Sequence, residues 1–122
     1  MKIEEQVTSL ELSKRLKELG VKQESLFWWL NTGKIFDGED YPDAWSAHFD
    51  EEETENEQAI SAFTAVELGK MIPRNYGSSL LIELRKNGWL FRVPGFEVLD
   101  KSEANARAKL LIFLIENQHI KV

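Results

Sequence analysis

The apolar and polar positions at the start of the chain follow the order of a helix entry. In Val7-Thr8-Ser9-Leu10-Glu11-Leu12, a hydroxyl is followed three positions on by a glutamate, with apolar residues on either side. Thr8 is therefore expected to cap a helix, Glu11 to reach back to the Thr8 amide, and Val7 to pack on Leu12. Leu12, Leu16 and Leu19 continue as one stripe, and Gly20 ends it. The same order returns at Phe63-Thr64-Ala65-Val66-Glu67-Leu68, closed by Pro73. The two stretches share Thr, Glu, Leu and Lys at matching places. Duplication of a unit accounts for this, and so do two helices using the same common start signal.

Between and after these helices the period changes. Ser25-Leu-Phe-Trp-Trp-Leu30 is rich in strand-forming aromatics, and Asn31-Thr32-Gly33-Lys34 is turn chemistry before Ile35-Phe36. Ala44 to Phe49 suggests a further strand. Leu80, Ile82 and Leu84 alternate with Glu83 and Arg85; Lys86-Asn87-Gly88 supplies a turn; Trp89, Phe91 and Val93 alternate with Leu90 and Arg92. Pro94-Gly95 turns the chain again before Phe96-Glu97-Val98, giving a meander.

A last helix, capped by Asp100 or Ser102, presents Ala104, Ala108, Leu111, Ile112 and Ile115 on one stripe, expected to pack on the meander. Leu110, Phe113 and Leu114 widen its apolar surface beyond a single stripe. The helix is therefore either sandwiched between layers or covered by another chain, and burial within the chain is the expectation.

These patterns predict an α+β fold, an antiparallel β-sheet of hairpin and meander covered by about three α-helices. The helices fall near 8–19, 64–72 and 102–117, and the strands near 25–30, 34–37, 44–49, 79–86, 88–93 and 96–99. The expected core is Leu12, Leu16, Leu68, Ile82, Leu84, Trp89, Phe91, Val98, Ala108, Leu111, Ile112 and Ile115. A chain of 122 residues that is 43% hydrophobic suffices for one domain, taken as 1–122 with an acidic loop near 50–60.

Charge sharpens the middle of the chain. Residues 37–57 hold ten acids and no Lys or Arg, leaving eleven of the 21 acids against 15 basic residues elsewhere, a formal +4 within a net charge of −6. Such a block is ordinarily a solvated loop; alternatively it is a negative surface that meets a basic partner or imitates nucleic acid. With no cysteine there is no disulfide framework. The first residues lack an apolar signal core, and the longest apolar run, Leu110 to Ile115, is far short of a membrane span. A cytoplasmic protein that does not enter a membrane is expected.

Three blocks, Ser9 to Trp29, Ser61 to Pro73 and Glu103 to Asn117, resemble parts of small uncharacterised proteins encoded by bacteriophages and prophages of gut bacteria. The resemblance covers about 50 residues in chain order. It implies a viral or prophage accessory protein acting inside a bacterium, and it carries no catalytic residue or cofactor across.

The spacing of the reactive residue types matches no catalytic or metal-binding motif. His48 and His119 stand far apart, without the companions that a metal site requires, and the acidic run lacks the order of a calcium loop. No serine sits in a nucleophile elbow, and Gly77-Ser78-Ser79 is no phosphate cradle. No catalytic residue, metal or cofactor is expected. The leading expectation is a non-catalytic protein-interaction module that binds an unknown host or phage protein through Trp28, Trp29, Trp45 and Phe49 together with Glu51, Glu52 and Glu53. One alternative is nucleic-acid binding through an N-terminal segment that resembles a helix-turn-helix in outline, disfavoured by the net charge and by the adjacent aromatics of 25–30. The other is an acidic mimic of nucleic acid that blocks a host enzyme.

Overall fold

A computed structural model describes residues 3–31, 45–48, 59–72 and 80–121. Among them, four helices and six strands run in the order α1 (Ile3–Gln6), α2 (Leu10–Glu18), β1 (Phe27–Asn31), β2 (Trp45–His48), β3 (Ile60–Ala62), α3 (Ala65–Met71), β4 (Leu81–Arg85), β5 (Gly88–Val93), β6 (Phe96–Asp100) and α4 (Glu103–Glu116). The fold is α+β, as the periodicities predict. It has two antiparallel three-stranded sheets rather than one, ordered β2-β1-β3 and β4-β5-β6. The expected strand at 34–37 lies outside the described residues.

The meander forms where turn chemistry dictates. Lys86 and Asn87 join Arg85 to its partner Gly88, and Gly95 takes a φ of 86° between the paired residues Val93 and Phe96. Gly88, at a φ of 133°, is held there by crowding as well. A Cβ on it would lie 2.4 Å from the Asp100 carbonyl oxygen, closer than any real contact, so only glycine fits.

Helix α4 settles the question that its broad apolar surface raised. One side (Ala106, Leu110, Leu114) packs on Phe91 and Val93 of the meander, and another (Ala108, Leu111) packs with Leu16 of α2, Leu68 of α3, Val21 and Phe63. The helix is thus sandwiched within the chain. The stripe expected against the sheet, Ala108 and Leu111 with Ile112 and Ile115, faces α2 and α3 instead. Burial contributes about 1.5–3 kcal/mol for each such leucine. Arg107 runs between α3 and α4, its guanidinium 5.2 Å from the Phe91 ring centre and in the space a side chain on Gly69 would take.

The first half is joined through Thr8. The sequence predicts Thr8 as a helix cap, but Ser9 holds that place, its Oγ accepting from Leu12 N at 3.3 Å. Thr8 is fully buried. Its N–H donates to Phe63 O at 2.9 Å, its Oγ1 accepts from Phe63 N at 3.2 Å and pairs with Ser13 Oγ at 2.6 Å, and its C=O accepts from Trp29 Nε1 at 3.0 Å. One residue therefore connects α2, β1 and the end of β3. Thr64, by contrast, makes the full capping box with Glu67. The two stretches are similar in sequence, but their matching threonines play different parts.

Two further expectations are corrected. Ile82 and Leu84 are exposed, not core, because α4 lies over β5 and β6 while β4 extends past it as the sheet's edge. Leu90, on the other face, is buried between its register partners Glu83 and Leu99. The strand expected at 25–30 is present as β1, so no second helix follows Gly20 there as a helix-turn-helix would require.

Candidate interaction surface

Two of the aromatics singled out in the sequence, Trp28 and Trp29, are buried. Successive strand residues point to opposite faces, and both faces of β1 are covered. Trp29 (8% exposed) packs with Val7, Ile60 and Ala62, and Trp28 (9%) packs with Leu30 and Ala59. They build the core. Trp45 pairs through its backbone with Asn31 at the outer strand of that sheet. Phe49, Glu51, Glu52 and Glu53 lie outside the described residues, as does most of the acidic stretch.

Exposed apolar side chains collect elsewhere. A groove of about 670 Å³ runs between the first turns of α3 and α4, with Leu26 and Val66 on one wall and Trp89 with Ser102 to Ala104 on the other. Leu26 is 57% exposed and Val66 69%, whereas Trp89 is half-buried against the meander core. Glu5, Lys70, Lys101 and Glu103 add charges of both signs to the lining. Leu84 is the cross-strand partner of Trp89 and 68% exposed, so the apolar surface continues from the groove onto the edge strand and on to Ile82.

Each wall is fixed by local chemistry. Thr64 Oγ1 accepts from Glu67 N at 3.3 Å while Glu67 Oε1 accepts from Thr64 N at 3.0 Å, which sets the first turn of α3 and the direction of Val66. The other oxygen of the same carboxylate, Oε2, accepts from Leu26 N at 3.2 Å and places Leu26 beside Val66. Ser102 caps α4, its Oγ accepting from Asn105 N at 3.1 Å, and its own amide donates to Asp100 Oδ1 at 2.9 Å. Asn105 in turn accepts from Ser9 N at 2.8 Å, which joins this end of α4 to α2.

Asp100 lies just outside the groove lining, before Lys101 and Ser102. Burial pushes its carboxyl up, but the hydrogen bond and charge of Lys109 (Nζ to Oδ2, 2.8 Å) and the amides of Ser102 and Lys101 outweigh burial and hold it below the ordinary value. That is a structural role at the start of α4. Among the described residues no three potential metal ligands converge, and no helix is long and apolar enough to cross a membrane.

The groove was not visible as a motif. Leu26 reads as the second residue of an aromatic strand, and Val66 as one more apolar residue in a helix start. The available signal is phase: Val66 is two positions from the buried Leu68, and so away from its face. No protein-family description, curated protein or solved structure matches this chain.

Proposed function

We propose that the protein is a non-catalytic interaction module, a phage or prophage accessory protein of the bacterial cytoplasm, whose groove receives an apolar segment of a host or viral protein. One observation carries this reading: exposed Leu26, Val66 and Leu84 surround half-buried Trp89 on elements pinned by the Thr64–Glu67 and Ser102 caps. A tryptophan anchor among exposed aliphatic groups with charges at the margin is the usual composition of an interface centre.

The test is affinity capture from a lysogenic or infected host, comparing the wild-type protein with Leu26→Lys and Val66→Lys. Both side chains are exposed, so the fold tolerates the changes. A partner retained by the wild type and lost by both variants supports the groove. Equal recovery by all three, or no partner at native expression, refutes it.

A further inference from the structure

The meander's outer strand carries a second surface. All five residues of β4 are exposed, three of them aliphatic (Leu81, Ile82, Leu84). An edge strand of this kind templates the addition of another strand unless a bulge, a proline or inward-pointing charge blunts it. β4 has none of these and is paired residue by residue with β5 from Leu81 to Arg85. Its backbone direction follows from the turn. The two-residue connection closes on Arg85 and Gly88, which exchange hydrogen bonds, so Leu81, Glu83 and Arg85 turn their N–H and C=O groups towards β5. Ile82 and Leu84 turn theirs outwards.

We propose that β4 pairs antiparallel with β4 of a second copy, about a two-fold axis through Leu84 and perpendicular to the sheet. Charge selects both the occupant and the register. With the axis at Leu84, Glu83 lies opposite Arg85 of the second copy, and Arg85 opposite its Glu83. With the axis at Glu83, two glutamates face each other; with the axis at Ile82, Glu83 faces Leu81 and Arg85 has no acid opposite. Within one copy, Arg85 Nη2 already lies 2.8 Å from Glu83 Oε2 on the same face of the strand, both side chains about half exposed. Pairing extends this contact into an alternating network without breaking it. On the other face, the chosen register sets Leu84 beside its counterpart, next to Trp89, and lays Ile82 along the aliphatic stem of Lys86. The outward groups of Leu84 then exchange hydrogen bonds with those of its counterpart. This self-pairing goes beyond the groove and is independent of Leu26 and Val66.

Sedimentation equilibrium of the full chain across a concentration series tests it, with circular dichroism confirming that each variant is folded. The wild type should dimerise. Glu83→Arg or Arg85→Glu, by setting like charges opposite each other on both sides of the axis, should weaken the dimer roughly tenfold. An equimolar mixture of the two variants should recover wild-type affinity, because each then meets its opposite charge. Leu26→Lys and Val66→Lys should leave the dimer unchanged, so failure of the groove and failure of the edge are read separately. A wild-type monomer at every concentration, a dimer indifferent to both charge reversals, or a mixture that stays weak overturns the proposal.

Discussion

Replacing Thr8 by valine keeps the shape of a fully buried side chain and removes its hydroxyl alone. In the structure that oxygen accepts from Phe63 N at 3.2 Å and pairs with Ser13 Oγ at 2.6 Å. A buried amide left without its acceptor costs about 1–3 kcal/mol, and the lost hydroxyl pair about 1 kcal/mol more. Thr8→Val should therefore lower the unfolding free energy by roughly 2–4 kcal/mol. Ser9→Ala, which removes the observed helix cap, should cost about 1 kcal/mol. Glu11→Ala, at an exposed position that makes no box with Thr8, should stay within about 0.5 kcal/mol. Urea melts followed by circular dichroism and tryptophan fluorescence give the three values, the midpoints moving while the slopes hold. If Glu11→Ala costs as much as Thr8→Val, then Thr8 is a cap and the cross-link described above is wrong. A smaller loss in Thr8→Val/Ser13→Ala than the sum of the single losses would confirm that the two hydroxyls act together.

Gly88→Ala combines a left-handed φ with a clash against the backbone of Asp100 and should cost more than about 3 kcal/mol. Gly20→Ala, where φ is 92° but nothing lies within 4 Å, should cost only about 1–2 kcal/mol; equal costs in denaturant melts would show that β6 gives way to the methyl group. Asp100 is held below the ordinary carboxylate value in the folded chain, so as pH falls through the acid range the unfolded chain takes up more protons and the carboxylate's contribution to stability fades. The stability deficit of Asp100→Asn at neutral pH should shrink below about pH 4; a deficit unchanged down to the acid limit refutes the assigned role.

The meander and the last helix were legible because local chemistry decides them. Lys86-Asn87-Gly88 and Pro94-Gly95 leave few other ways to turn, and Ser102 sits ahead of a continuous helical pattern. What lay beyond the sequence was coverage. The alternation at Ile82 and Leu84 gives their face correctly, since they share it with Phe91 and Trp89, but whether a helix reaches that far depends on where α4 crosses the sheet. Trp28 and Trp29 raised the same difficulty in reverse. Adjacent aromatics suit an exposed patch or a strand buried on both sides, and the second applies. Thr8 and Ser9 are two hydroxyls one position apart, and long-range partners, Phe63 and Trp29, rather than local pattern decide which one caps.

The position of α4 has a consequence for whatever enters the groove. The helix is packed on two sides, its first turn is capped by Ser102, and the opposing turn of α3 is fastened by its box. If the groove receives a segment as proposed, the opening is already formed, and the entropic cost of ordering would fall on the incoming segment rather than on its receptor.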